Sequence, residues 1–300
     1  MSDISLMIHG GAGVVREPER FDSALRRIIT RGAELLESGG EALDAVALCV
    51  QLLEDDPLFN AGLGSVLNAQ GVAECDAAIM DGRDLSAGAV AGVGCVKNPI
   101  LLARAIMEKS DHVFLIAPGA EEFARAQGIC CVPARYFQTQ ERLAQLARVK
   151  EKSATALDHD AEETKKLGTV GAVARDQRGN LAAATSTGGM TNKSFGRVGD
   201  SAVLGAGVFA DNASCAVSCT GVGEHFLRMS PARTVAFLIE DLAMDTQSAT
   251  QEAQLRLEAK IQGVGGMIVI GKDGVCARAK NTPSLLSATA YNGAITIQLA

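Results

Sequence analysis

Apolar and polar positions alternate along the chain in a way that predicts paired strands with helices between them. A short apolar strand over residues 6–9 runs into Gly10-Gly11-Ala12-Gly13. Phe21, Leu25, Ile28, Ile29 and Leu36 then recur at three- and four-residue spacing, the period of a helix with one buried stripe, and Gly39-Gly40 closes it. A second helix is expected over about 41–53, stopped by Asp55-Asp56-Pro57. Strand-like runs at 73–80 and 85–96 flank the turn residues Asp81-Gly82-Arg83. A helix over 99–109, a strand over 112–117 and a helix over 120–127 follow. From about 150 to 166 charge is dense and apolar residues are few, which reads as a mobile surface segment. Immediately after it, strands at 169–174 and 181–187 flank a hairpin turn at Asp176-Gln177-Arg178-Gly179-Asn180. Helices over about 230–242 and 248–261 and a closing hairpin around Lys272-Asp273-Gly274 complete the pattern. Strands in antiparallel-looking pairs with helices between the runs make an α+β layout rather than a βαβ repeat.

Three hundred residues, 47% of them hydrophobic, suit one large layered domain spanning 1–300. Aromatic residues are only 4%, with no Trp and 32 Gly, so the core is expected to be built from small side chains and close backbone approaches. A net charge of −7 argues against nucleic acid and acidic membranes as partners. No apolar run reaches the ~18–20 residues of a membrane span. Residues 1–6 lack the basic and apolar regions of a secretory signal, so the expected location is cytoplasmic. The eight cysteines (49, 75, 95, 130, 131, 215, 219 and 276) mostly sit in apolar runs and read as buried free thiols. A zinc site would need a compact Cys or His cluster, and the four histidines are scattered.

A charged segment that ends abruptly in Gly168-Thr169 at the start of an apolar strand calls for an explanation. A threonine hydroxyl is a poor nucleophile until a base removes its proton. A free N-terminal amine on the same residue, with a pKa of about 7.7–8.0, supplies that base near neutral pH. An internal threonine gains such an amine only if the bond before it is cut. Glycine there tolerates the backbone strain that brings the hydroxyl onto the preceding carbonyl. A Gly-Thr pair at a strand start is otherwise an ordinary turn glycine before a β-branched strand residue; its surroundings change that reading.

Those surroundings are His9-Gly-Gly-Ala-Gly13, Leu58-Phe-Asn-Ala-Gly62, Met80-Asp-Gly82 and Leu85-Ser-Ala-Gly-Ala-Val90. Further along come Gly168-Thr-Val-Gly-Ala-Val173, Ala184-Thr-Ser-Thr-Gly-Gly-Met-Thr-Asn-Lys193, Gly196-Arg-Val-Gly-Asp-Ser201 and Thr220-Gly-Val-Gly-Glu224. In order and spacing, over nearly the whole length, they resemble the plant-type asparaginase/isoaspartyl peptidase family of N-terminal-nucleophile hydrolases. The resemblance implies an αββα sandwich of two antiparallel sheets covered by helices. It implies that Thr169 attacks the carbonyl of Gly168 and that water then releases chains 1–168 and 169–300. The freed Thr169 would hydrolyse L-asparagine to L-aspartate and ammonia, and β-aspartyl dipeptides likewise, through a β-aspartyl enzyme.

Further roles come from the same resemblance. Thr187 would support the nucleophile, and Thr220 with the Gly221 N–H would form the oxyanion hole. Arg197 would hold the α-carboxylate of the substrate and Asp200 its α-ammonium, a planar fork for one charge and an acceptor for the other. Gly223 would allow close approach of the substrate, and Asn60 would hydrogen-bond near the nucleophile. The backbone carbonyls of Leu53, Glu54, Asp56, Phe59, Ala61 and Leu63 would hold a structural Na⁺, with no cofactor needed for catalysis. The glycine-rich turn after His9 would be structural, and the assembly a homodimer of αβ units. Residues 281–289 follow the family pattern only loosely.

Other classes are weighed by their residues. Strand, glycines and helix at 6–38 resemble a dinucleotide site, but Arg16 stands where the third glycine belongs. Glycosylasparaginases act in lysosomes or outside the cell, where a signal segment is expected. Threonine aspartases usually carry Asp before the nucleophile, where this chain has Gly168. An uncut, inactive homologue would not need the full set of reactive positions found here.

Overall fold

A computed structural model of the chain describes residues 4–15, 17–155 and 168–300. It opens with β1 (Ser5–Gly13), α1 (Asp22–Glu37), α2 (Ala42–Glu54), β2 (Cys75–Asp81) and β3 (Ala87–Val93). Next come α3 (Pro99–Lys109), β4 (Phe114–Ile116), α4 (Ala117–Ala126) and α5 (Gln140–Thr155). The second half holds β5 (Val170–Arg175), β6 (Leu181–Thr187), β7 (Val208–Ala210), β8 (Cys215–Gly221), α6 (Gly223–Met229), α7 (Pro231–Glu240) and α8 (Thr246–Ile261). Strands β9 (Gly265–Gly271), β10 (Cys276–Lys280), β11 (Ser284–Tyr291) and β12 (Ala294–Gln298) end it. The architecture is α+β.

Two sheets result. One has eight strands in the order β12-β11-β1-β5-β6-β2-β3-β4, and the other four in the order β10-β9-β8-β7. Alternation along each strand decides what lies on either face. Leu6 and Ile8 of β1, Ala172 and Ala174 of β5, and Ala182 and Ala184 of β6 share one core with the buried stripe of α1 and with α2 and α3. Met7, Val173, Leu181 and Ala183, their neighbours in sequence, belong to a second core with β7, β8, β9, α7 and α8. Strands β1, β5 and β6 pack directly on β8. The many buried alanines fit the small-residue core expected from composition.

Close approach is most demanding at Gly171 of β5. A Cβ there would fall on Ser218 Oγ of β8 and His9 Nε2 of β1. These two are themselves 2.9 Å apart, and Ser218 Oγ lies 2.7 Å from Thr185 Oγ1 of β6. A buried polar chain therefore crosses from one sheet to the other, with only a glycine leaving room for it. Burial pushes the His9 pKa down to about 3, opposed by the Thr169 backbone, so the ring is neutral.

Several expectations are corrected. The glycines after His9 do not form a turn: β1 runs on through Gly13, with a bulge against β11 between His9 and Gly11. That extra residue re-aims the strand without ending it. Strand β4 pairs parallel with β3, so the large sheet is not wholly antiparallel. Residues 150–155, charged as they are, continue α5, while 156–167 lie outside the described residues. The hairpin at 272–274 is followed by another, β11–β12, which fills one edge of the large sheet. Cys49, Cys75, Cys215 and Cys219 are buried thiols, but Cys130 and Cys131 are exposed. No helix among the described residues is long and apolar enough to cross a membrane.

Gly171→Ala should destabilise the fold by about 1–3 kcal/mol, the usual cost of overpacking a filled interior. Chemical denaturation of the variant would check this; an unchanged midpoint would mean that the sheets can part without loss.

Candidate active site

Register brings the first two groups together. Strands β5 and β6 pair antiparallel, with Val170 opposite Ser186 and Gly171 opposite Thr185. One step further out stand Thr169 and Thr187, whose hydroxyls are 3.2 Å apart. Thr187 Oγ1 also accepts from Gly189 N at 3.0 Å and lies 3.5 Å from the carbonyl oxygen of Gly168, the outer limit of a hydrogen bond. Both threonines are buried. The nucleophile candidate, its neighbour and the carbonyl before it thus lie within one hydrogen-bonded cluster.

Gly168, Thr169 and Thr187 line one cavity of about 10 Å³ with Arg197, Asp200, Gly221 and Gly223. Arg197 is held by Glu224, Nε to Oε1 and Nη2 to Oε2, both at 2.9 Å. Asp200 is 3% exposed and its Oδ2 has no hydrogen-bond partner. Burial raises its pKa to about 7, against its own backbone hydrogen bond and the Arg197 charge. An unsatisfied buried carboxylate beside a guanidinium suits a ligand that brings its own cation and anion. Gly223 sits where the two meet: an added Cβ would stand 2.7 Å from Arg197 Nη2 and 3.1 Å from Asp200 Oδ1.

Two expected residues stand at the margins of this cavity. Thr220 is fully buried at the end of β8, and its Oγ1 accepts from Ala12 N of β1 at 3.2 Å. The glycine-rich stretch of β1 therefore fixes the Thr220 hydroxyl. Asn60 lines the adjoining cavity with Gly168. Its Nδ2 donates to Gly189 O at 2.7 Å, and its Oδ1 accepts from Val66 N at 2.9 Å. Asn60 thus braces the turn that caps Thr187.

Sequence reasoning missed the supports. Asp76, in the alanine-rich strand β2, accepts from Gly92 N at 2.9 Å and Gly199 N at 3.2 Å. Glu74 accepts from Gly196 N at 2.9 Å, and Lys193 Nζ donates to Glu74 O at 2.7 Å. Together they fasten the loop that carries Arg197 and Asp200. Glu54, at the end of α2, accepts from Ser186 Oγ at 2.6 Å and Ile100 N at 3.0 Å. Burial pushes its pKa up to about 8, with the Ser186 bond opposing. The available signal was an acidic residue in an otherwise apolar run, at Glu74 and Asp76, whereas Glu54 begins the acidic stretch that stops α2. Glu224 gave no such signal, because only the fold turns it toward Arg197.

The Asp200 shift has a sign that can be measured. A carboxyl whose pKa rises from 3.8 to about 7 on folding favours the fold below pH 4, and that contribution is lost as pH rises through 7. In an uncut Thr169→Ala background, Asp200→Asn should therefore raise the melting temperature at pH 8. The gain should shrink as pH falls through 7 toward 4. Equal gains at both ends would show that Asp200 is not held as a desolvated carboxyl.

The asparaginase family model matches residues 2–298. The isoaspartyl peptidase of Salmonella typhimurium is 46% identical over 303 residues, covering 98% of this chain and 97% of that protein. The isoaspartyl peptidase of Escherichia coli K12 is also 46% identical, over 98% and 94%. The human isoaspartyl peptidase/L-asparaginase is 46% identical over 296 residues, again 98% and 94%. The cavity residues lie within the matched span, and the likeness runs from one end of the chain to the other. This chain belongs to the asparaginase family.

Proposed function

We propose that the protein is a threonine amidohydrolase that cuts itself between Gly168 and Thr169 and then hydrolyses L-asparagine and β-aspartyl dipeptides. The carrying observation is the Thr169 hydroxyl, 3.2 Å from Thr187 Oγ1, in one cavity with Gly168, Arg197 and Asp200. The names of its relatives support the same activity.

In the first reaction Thr169 Oγ adds to the Gly168 carbonyl carbon. The C–N bond breaks, the acyl group passes to oxygen, and water hydrolyses the ester to a Gly168 carboxylate and a free Thr169 amine. That amine then accepts the Thr169 hydroxyl proton, and Oγ attacks the side-chain amide carbon of the substrate. Thr220 O–H and Gly221 N–H stabilise the tetrahedral oxyanion; removing one such donor typically costs ~10²–10³ in rate. Collapse expels ammonia or an amino acid, and water clears the β-aspartyl ester. Thr187 positions the nucleophile, and Asn60 positions the turn behind Thr187.

Arg197 takes the substrate α-carboxylate and Asp200 its α-ammonium, with Gly223 giving room. Arg197 then shares its fork between the substrate and Glu224. A cation near Asp200 favours its ionised form, so binding would draw the carboxyl back below about 7.

The same reading includes an αββα layering, supported by the core between the two sheets and the helices on either side. It also includes a dimer of αβ units in the cytoplasm. A structural Na⁺ would be held by the backbone carbonyls of Leu53, Glu54, Asp56, Phe59, Ala61 and Leu63. A hard cation takes oxygen ligands, and backbone oxygens crowd this loop: a Cβ added at Gly62 or Gly64 would fall on the carbonyl of Glu54 or Phe59. No His, Cys, Asp or Glu cluster among the described residues offers a rival metal site. The ion would steady the loop carrying Asn60.

Intact-mass spectrometry after incubation at neutral pH tests the central step. Two chains, ending at Gly168 and beginning at Thr169, are expected, with Thr169→Ala remaining whole. Turnover of asparagine and β-aspartyl-leucine should exceed that of glycosylated asparagine. A wild-type chain that stays whole even with free glycine added would sink the proposal.

A further inference from the structure

Two cavities meet at Gly168. One is the small pocket with Arg197 and Asp200. The other, of about 100 Å³, is lined by Gly168 and Asn60, by Glu141 and Arg142 of α5, and by an apolar wall that includes Phe21, Leu58 and Leu286. One water needs roughly 10–15 Å³ by this measure, so the second cavity has room for a ligand displacing several waters.

Arg142 is the unusual feature of this second cavity. Its residue is only 9% exposed, yet its side-chain hydrogen bonds go to neutral acceptors: Nε to Gly64 O at 2.6 Å and Nη1 to Gln145 Oε1 at 2.9 Å. Among the described residues only Glu141 lends it a nearby negative charge, and without a hydrogen bond. A buried cation so weakly paired is costly, and a guanidinium is the group best shaped to take a carboxylate. Arg20 also lines this cavity, but it is half-exposed and lies 3.5 Å from Glu17. Arg142 is therefore the stronger anion site.

We infer that this second cavity binds the departing amino acid of a β-aspartyl dipeptide, with Arg142 holding its free α-carboxylate. The inference rests on the amidohydrolase reading. The substrate carbonyl must reach the same Thr169 hydroxyl that attacks the Gly168 carbonyl. With the aspartyl end on Arg197 and Asp200, the substituent on the amide nitrogen extends to the other side of Gly168. Asparagine has no such substituent and leaves the cavity unused. The apolar wall suits a leucine-like departing residue, whereas the Glu141 carboxylate disfavours an acidic one.

The test compares β-aspartyl-leucine with β-aspartyl-leucinamide, which lacks only the terminal charge, on the self-cut enzyme. Wild type should favour the acid in kcat/KM by about ten- to a hundredfold, the range of a charge-assisted hydrogen bond. Arg142→Gln should bring the ratio close to one, and Arg142→Lys, which keeps the charge but loses the fork, should fall between. A ratio is read within each protein, so a lower yield of cut enzyme does not affect it. Equal turnover of acid and amide by wild type, or a preference surviving in R142Q, overturns the subsite alone. Cut enzyme that hydrolyses neither dipeptide nor asparagine overturns the amidohydrolase reading and the subsite with it.

Discussion

The antiparallel register of β5 and β6 governs everything at the site. With Val170 opposite Ser186, every odd-numbered residue from Thr169 to Val173 looks toward the four-stranded sheet, and so do Thr185 and Thr187. A slip of one residue would turn Thr169 toward α2 and put Val170 between the sheets. The pairing is held on both faces. On one, Ser186 is tied to the Glu54 carboxylate of α2. On the other, Thr185 joins Ser218 and His9. Each bond has a correct partner in only one register.

The space between the sheets sets the second constraint. Polar groups buried there have no water to fall back on, so each must be met by another group. His9, Ser218 and Thr185 satisfy one another across the gap, and Thr220 is met by Ala12 N. Asp76 and Glu74 spend their oxygens on backbone N–H groups and Asn68. Asp200 is not met in this way: its Oδ2 is left without a partner, as are Glu54 Oε2 and Ser201 Oγ among the described residues. A fold that satisfies both oxygens of Asp76 and of Glu74 leaves this one open where Arg197 and Gly223 converge. Desolvation of that kind marks sites built for a ligand more often than sites built for stability.

Small residues make this geometry attainable. Gly171 of β5 and Ala183 of β6, on the face toward the smaller sheet, let the large sheet approach it closely enough for side chains of three strands to hydrogen-bond. A core of large aromatics would hold the sheets further apart and break the crossing chain. Composition and chemistry are therefore connected: low aromatic content is a requirement of the inter-sheet site as well as a feature of packing.

Much of this was legible along the chain. Periodicity located α1, α2, α3, α7 and α8 and the β5–β6 hairpin, because their spacing is a local property. Motif order singled out Thr169, Thr187, Arg197, Asp200 and Gly223, which the fold brings to one cavity. Other features were outside the reach of local pattern. The continuation of β1 through its glycines depends on pairing with β11, with Gly11 opposite Leu286 at the far end of the sequence. Residues 150–155 look like a solvated segment by charge, yet α5 incorporates them. The partners of Arg197, Thr220 and Arg142 were likewise invisible, since Glu224, Ala12 and Gly64 come from separate elements. Sequence determines which groups are available and which local elements form. Which groups end up buried together, and which of them is left without a partner, depends on long-range pairing and the exclusion of water, which arise only when the sheets pack.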